Sequence, residues 1–371
     1  MEWSNKYNSF NSYKGLAYYD NYKSIINWMR GKSDTLPPPI EVNLDPYAEC
    51  NLSCYFCIVQ RYLKTNRAEV GEMRSLPGDY MRRLVDYLAD WGVRGLCISG
   101  GGEPTLHKDL SFILAHAADK KLDTALVTNM VKVSRPIMDA SMACRWIAMS
   151  IDAGKPESYA KIKGRDCFYQ VLKNVKQMVK LRSEYNSKVD LAYKMVVLPE
   201  NVDEIYDACK IAQDIGVQDF HVRPVDLERS DIEGHRKLQF NMVKVYEQFQ
   251  KCHELENDNF HVYTVTHKFD GQFHNKQDFK QCLMTPILLP ILTDGNAYLC
   301  VDKKMQAKYK IGSCYPNPEQ IGDWWGSDAH RKLIHSVLPS RDCADNRCTG
   351  QCYNEQIEKV VLHDGMCLSF P

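Results

Sequence analysis

From residue 41 to about residue 255 the chain repeats one pattern: a short apolar run, a punctuating loop, then a longer amphipathic stretch. Glu41–Leu44, Gly95–Ser99, Thr124–Thr128, Trp146–Ile151, Val189–Leu198 and Asp219–Pro224 read as strands. Leu76–Trp91, Leu110–Lys121, a short stretch from Ser134 to about Met142, Phe168–Arg182, Asp203–Ile215 and a long Gly234–Leu255 read as helices. Gly92 and Gly216 stand just past two of them, where a left-handed cap is favoured. Six strands alternating with helices predict an α/β fold, a parallel sheet with helical crossovers. The count suits a partial (β/α)6 TIM-like barrel; an open doubly wound sheet has the same rhythm.

The rhythm stops near residue 257. Gly, Pro, Asn and Cys then become frequent, and seven of the fifteen cysteines lie between 282 and 367. The chain therefore divides into an N-terminal extension (1–40), a core barrel (41–235) and a helix plus cysteine-rich domain (236–371). The extension is polar, ends in Leu36-Pro-Pro-Pro39, and is expected to be an extended connector.

Lys plus Arg and Asp plus Glu both number 47, so the net charge is zero and there is no strong nucleic-acid signal. The N-terminus has no basic start followed by an apolar core, so no signal peptide is expected. The longest apolar run, Leu283–Leu292, is broken by Pro286 and Pro290 and is too short to cross a bilayer. The expectation is a cytoplasmic protein with reduced thiols, in which clustered cysteines point to metal rather than to disulfides.

The sharpest cluster is Cys50-Asn-Leu-Ser-Cys54-Tyr-Phe-Cys57, directly after the first strand. αβ barrels place their active-site loops at such strand ends. Three thiolates in eight residues can bind three irons of a [4Fe–4S] cube and leave the fourth open for a chelating substrate. Buried core cysteines or part of a zinc site are the plainer readings, but zinc favours CxxC pairs repeated at a distance. One βα unit later comes Gly100-Gly101-Gly102-Glu103-Pro104. Glycines there admit a close backbone approach, and a carboxylate suits an ammonium group.

With these two motifs, residues 41 to about 225 resemble the radical S-adenosylmethionine superfamily. The resemblance implies that Cys50, Cys54 and Cys57 ligate a [4Fe–4S] cluster and that S-adenosylmethionine binds its open iron. It places Phe56, Gly101, Gly102, Glu103 and Pro104 at the cofactor. Softer matches add Asn129, where Met130 replaces the usual Gly, Ser150 and Asp152 after the fourth strand, Arg165 in the next loop, and Arg223 at the end of the sixth strand. An electron donor such as flavodoxin or ferredoxin is also implied.

The C-terminal cysteines resemble the SPASM extension of that superfamily, or its shorter twitch relative. Cys282, Gly295 and Cys300 meet the opening of the pattern; its closing run is met in part, because Ser340 stands where a cysteine is expected. The resemblance implies one or two auxiliary clusters. Cys282, Cys300 and Cys352 would form the first, with Cys314 able to complete it. Cys343, Cys348 and Cys367 would form the second, with Asp342, Asp345 or Ser340 as the fourth ligand. A single auxiliary cluster and a zinc site stay open. Sulfatase-maturating members carry a catalytic Asp directly after the second cysteine of the pattern. Here Val301 follows Cys300, so Asp302 is the candidate base, one residue displaced.

The function implied is hydrogen-atom abstraction by a 5′-deoxyadenosyl radical. The substrate would be a peptide or protein residue that is oxidised, cross-linked or epimerised. A small molecule such as an aminocyclitol, sugar or nucleotide derivative is the second expectation. A non-catalytic iron–sulfur or zinc scaffold is the third. No membrane partner is expected. The first 40 residues are too few for a winged-helix peptide-recognition domain, so the barrel mouth and C-terminal domain would grip the substrate.

Overall fold

The computed structural model describes residues 18–57, 59, 73–225, 240–343 and 348–360. Its centre is a single ten-stranded sheet. The strands are β1 (Glu41–Leu44), β2 (Gly95–Ile98), β3 (Asp123–Thr128), β4 (Trp146–Ser150), β5 (Asp190–Val197), β6 (Asp219–Pro224), β7 (His261–Thr264), β8 (Leu288–Ile291), β9 (Asn296–Tyr298) and β10 (Lys310–Ser313). Their order is β10-β9-β8-β1-β2-β3-β4-β5-β6-β7. From β8 through β7 every pairing is parallel; β9 and β10 close one edge as antiparallel strands. Among the described residues the sheet has two edges and does not close on itself.

Six strands lie at the expected positions. Two further parallel strands were not expected: β7 beside β6, and β8 beside β1, with Glu41 opposite Leu288 and Leu44 opposite Ile291. β8 lies in the second half of the proline-broken apolar run. Among the described residues no helix is long and apolar enough to cross a membrane.

Crossover helices are α2 (Gly78–Trp91), α3 (Leu110–Asp119), α4 (Arg135–Ser141), α5 (Pro156–Lys163), α6 (Phe168–Glu184), α7 (Ile205–Ile215) and α8 (Met242–His253), preceded by α1 (Tyr19–Met29). Gly92, Gly164 and Gly216 end α2, α5 and α7 in the left-handed conformation. α5 was missed by the sequence reading, although Pro156 and Gly164 bracket it with a start and a stop signal. The front of the long helix expected over 234–255 lies partly outside the described residues.

Each strand has two distinct faces. Val42, Leu44, Leu96, Ile98, Ile147, Met149, Leu191, Tyr193, Phe220 and Val222 are buried in the main core against the helices. The alternate residues form the inner face. Register lines up Asn43, Cys97, Ala125 and Trp146 across β1–β4, and Ser150, Lys194, His221 and Tyr263 across β4–β7. Parallel strands buried on both faces run continuously hydrophobic; these alternate, so the inner face is made for polar contents.

Within the described part of the extension, residues 18–40, a helix stands where an extended connector was expected, and only the Pro-rich end lacks regular structure. α1 buries Ile25, Trp28 and Met29 against Leu283, Leu299, Tyr309, Ile334 and Val337 of the C-terminal region. Trp28 Nε1 donates to the Gly326 carbonyl at 3.0 Å, and Trp325 Nε1 donates to the Pro37 carbonyl at 2.9 Å. Ile25, Ile26, Trp28 and Met29 share one face at helical spacing, a signal masked by the polar residues around them.

Candidate active site

The loop after β1 carries Cys50, Cys54 and Cys57, all partly buried free thiols. The Cys57 amide donates to the Cys54 carbonyl at 3.1 Å, which folds the segment into a turn. Two neighbours fix the loop. On one side the Ser53 amide donates to the Lys163 carbonyl at the end of α5 (3.1 Å), and a side chain at Gly164 would collide with Ser53. On the other side the Gly102 and Glu103 amides donate to the Tyr47 and Glu49 carbonyls (2.9 and 2.8 Å). A side chain at Gly102 would collide with the Glu49 carbonyl. The two motifs therefore touch through backbone, which is what the glycines permit.

Glu103 is 2% exposed, and burial raises its pKa. Its Oε1 accepts from the Thr105 amide, Thr105 Oγ1 and Thr128 Oγ1; its Oε2 accepts from the Asn129 amide at 2.7 Å. Glu103 thus fastens the ends of β2 and β3 together. Asn129 Nδ2 in turn donates to Asn51 Oδ1 (2.8 Å) and faces Cys50 Sγ at 3.6 Å. Pro104 opens the single turn after Glu103.

The other expected cofactor residues fall into different roles. Asp152 is buried with a left-handed backbone, and its Oδ2 is paired with Lys163. Its Oδ1 accepts from the Val196 amide at 2.8 Å. The Ser150 carbonyl accepts from Lys163 Nζ at 2.9 Å. Arg165 is exposed and reaches the Asn51 carbonyl at 3.3 Å. Arg223 lies on the inner face of β6, partly buried. Lys163 was missed by the sequence reading. It is buried, its Nζ stands 5.7 Å from the Phe56 ring centroid, and its charge lowers the Cys54 pKa. Burial and the facing thiols outweigh it and push Cys54 up to about 11.

Of the C-terminal cysteines, four gather. Burial raises Cys300 well above the usual thiol range, and Asp302, Cys282 and Cys343 add to it. Cys348 is raised in the same way by burial, Cys282, Asp302 and Cys300. Cys343 is pushed up to about 11 by burial, with Cys282 and Asp302 adding. Cys352 lies beside them, next to Lys268. Cys314 stands apart: its Sγ faces the Gly295 carbonyl at 3.1 Å, and its carbonyl accepts from Tyr80. Asp342 is held by Arg341, Tyr309 and the Leu338 amide, and Ser340 is exposed on a short helical turn. Asp345 and Cys367 lie outside the described residues. Asp302 is 6% exposed, and its Oδ2 accepts from the Thr349 amide at 2.9 Å.

Among the described residues no three His, Cys, Asp or Glu side chains surround a single-ion position. An iron–sulfur cube holds thiolates at its corners, and the donor chemistry suits it. Each group offers soft sulfur ligands; burial raises the pKa values of Cys50, Cys54, Cys282, Cys300, Cys343 and Cys348, a cost that iron would remove by holding them as thiolates. The first group has three thiols. The second has four.

The C-terminal group is tied to the first site. The loop after Cys300 brings Lys304 Nζ to Asp45 Oδ2 at 2.6 Å, with Asp45 1% exposed at the end of β1. Met305 from the same loop meets Gly101.

Residues 45–212 match the model of the Radical SAM superfamily. A probable GTP 3′,8-cyclase of Thermococcus kodakarensis is 29% identical over 185 residues, 48% of this chain and 55% of that protein. The dTDP-4-amino-4,6-dideoxy-D-glucose ammonia-lyase of Streptomyces venezuelae is 25% identical over 183 residues, 48% of this chain and 36% of that protein. The matched part thus spans about half or less of these relatives. In fold the chain is similar to Streptococcus suis SuiB bound to its precursor peptide SuiA, with TM-score 0.63 and 15% identity over 94% of this chain and 78% of that one.

Proposed function

We propose that the chain is a radical S-adenosylmethionine enzyme that modifies a peptide or protein residue by oxidation, cross-linking or epimerisation. One observation carries the reading: the three-thiol loop and the Gly100–Pro104 loop are joined by backbone hydrogen bonds at the carboxyl ends of adjacent strands. When bound, the cluster and S-adenosylmethionine would supply a 5′-deoxyadenosyl radical that takes a hydrogen atom from substrate. Cys50, Cys54 and Cys57 would hold the cluster. The Gly100–Gly102 backbone and Glu103 would bind the methionyl end. Cys282, Cys300, Cys343 and Cys348 are the set that their grouping supports for one auxiliary cluster. Asp302, buried beside them, is the proposed proton acceptor.

A likeness in fold to SuiB over nearly the whole chain supports a peptide substrate, and a flavodoxin or ferredoxin is the proposed electron donor. The sequence relatives support a second reading, a cyclase or lyase of a nucleotide or sugar derivative. Anaerobic reconstitution with iron, sulfide, reductant and S-adenosylmethionine tests the enzyme reading. Release of 5′-deoxyadenosine by the intact chain, and its loss on Cys54→Ala, is expected; no release from the intact chain overturns it.

A further inference from the structure

A short bridge, residues 300–305, runs from the C-terminal thiols to the glycine loop. Its base is fixed to the C-terminal region. Lys303 Nζ donates to the Asp342 carbonyl, Asp302 Oδ2 accepts from the Thr349 amide at 2.9 Å, and the Lys303 amide donates to the Cys300 carbonyl at 3.1 Å. Its tip meets the first site. Lys304 Nζ lies 2.6 Å from Asp45 Oδ2, the two side chains being 13% and 1% exposed. Asp45 is also tied to both neighbours of β1: its Oδ1 accepts from Ser99 Oγ at 3.1 Å, and its amide donates to the Ile291 carbonyl at 2.9 Å. Met305 is buried and has a left-handed backbone, φ 67°. A methionine keeps that conformation only where its surroundings over-determine it.

These residues bound the space beside Gly101. A methyl group placed on Gly101 would lie 3.3 Å from Met305 Cε, 3.3 Å from Val59 Cγ1 and 3.8 Å from Asp45 Oδ2. The glycine loop therefore has two supports. Tyr47 and Glu49 hold it from the three-thiol side through the Gly102 and Glu103 amides. Met305 and the Lys304–Asp45 pair close its flank from a segment far along the chain. A buried ion pair is weak evidence for stability in itself, but it fixes one arrangement of the groups that carry it. Here those groups are the end of β1 and the tip of the bridge. Without Lys304, the Asp45 carboxylate would also stand bare beside the loop and compete with Glu103 for a cationic ligand.

We propose that Lys304 is a positioning residue for S-adenosylmethionine: paired with Asp45, it holds Met305 against Gly101 and so keeps the glycine loop in its binding shape. The inference rests on the proposed function for the identity of the ligand. Lys304 acts through Asp45 and Met305, so its effect is on affinity. The C-terminal region then completes the first site as well as carrying its own thiols.

The test is calorimetry with S-adenosylmethionine on the full chain, anaerobically reconstituted with iron and sulfide. Lys304→Met and Asp45→Asn should each weaken binding by about tenfold, part of the penalty for stranding one partner of a buried pair. The double variant should weaken it no more than either single one, because the two residues act as a unit. Lys304→Arg should restore most of the affinity, Met305→Ala should weaken it, and Lys332→Gln, at an exposed site, should change nothing. Iron content and thermal midpoints show which variants are loaded and folded. If Lys304→Met does not fold, the double variant, which strands no charge, carries the test. The signs separate positioning from plain electrostatics. Removing a cation near a cationic ligand would tighten binding and removing a carboxylate would weaken it, whereas lost positioning weakens binding in both variants. The proposal is overturned if Lys304→Met tightens binding or leaves it unchanged, if Lys304→Arg binds no better than Lys304→Met, or if Met305→Ala has no effect. An intact chain that binds S-adenosylmethionine but releases no 5′-deoxyadenosine sinks the enzyme reading and leaves the positioning result standing; one that does not bind it overturns both.

Discussion

Lys163 and Asp152 form an ion pair whose side chains are 2% and 3% exposed, packed against the loop that carries Cys54. Burial works to lower the Lys163 pKa, but the carboxylate outweighs it and the net shift is upward. The pair's contribution is therefore intact at neutral pH and below the ordinary lysine range, and is lost only as pH rises through the raised value. Lys163→Met should cost about 3–5 kcal/mol because it strands a buried carboxylate. Adding Asp152→Asn should recover part of it. Denaturant midpoints of the two variants decide the matter; an additive double variant would contradict the pairing.

Met130 occupies a left-handed backbone position (φ 60°) and is 1% exposed. Gly would relieve about 1–2 kcal/mol of backbone cost there. Losing a buried Met side chain costs about 2–5 kcal/mol. Packing wins, so Met130→Gly should lower the thermal midpoint. Met130→Ala should lower it further, since it loses the packing and keeps the strain. The order of the three midpoints is the measurement.

His330 packs between Trp28 and Trp325, and its Nδ1 accepts from the Gly326 amide at 3.2 Å. Burial lowers its pKa to about 4. A depressed histidine favours the folded state above the unfolded pKa and loses that contribution as pH falls toward the folded one. Between about pH 6.5 and 4, stability should fall by up to roughly 1.4 kcal/mol per pH unit from this group. His330→Gln should flatten that slope. Because His330 sits where α1 docks, proteolysis of α1 should also become faster over the same range.

Iron content distinguishes the thiol sets. Two clusters predict about eight irons per chain. Cys282→Ala should leave about four, and Cys314→Ala should leave all of them, because Cys314 is a core thiol beside Tyr80. A loss of iron on Cys314→Ala would return that residue to the ligand set.

Glu103 accepts four hydrogen bonds from three residues. Glu103→Gln turns one acceptor into a donor facing the Asn129 amide. A cost of about 1–3 kcal/mol is expected from the unmade bond, read as a lower thermal midpoint and weaker binding of S-adenosylmethionine by calorimetry.

Much of this fold is legible in the sequence because strand, loop and helix repeat with clear punctuation from Glu41 to Pro224. β8 was not, because Pro290 inside a strand argues against one. In the structure Pro290 pairs with Asn43 on the inner face. α1 was hidden by its polar composition; only its partner surface, assembled from residues beyond 280, makes its apolar face meaningful. At the site, the three-thiol spacing and the glycine loop are local patterns and can be read directly. Lys163 is not, since it gains its meaning from residues on other elements, Asp152 and Phe56. The grouping of Cys282, Cys300, Cys343 and Cys348 likewise depends on loops that spacing alone does not position.

The pairing of β1 with β8 has a consequence for biosynthesis. The strand that leads into Cys50 finds its second neighbour only in residues 288–291. At about 5–20 residues per second, roughly 12–50 seconds of translation separate the two strands. Throughout that interval the emerging three-thiol loop hangs from a sheet edge that still lacks its mate, open to oxidants and to premature metal. Iron delivery timed after release of the chain, or a chaperone resting on that edge, would protect it, and oxygen exposure during synthesis should harm the yield of loaded protein more than the same exposure after folding.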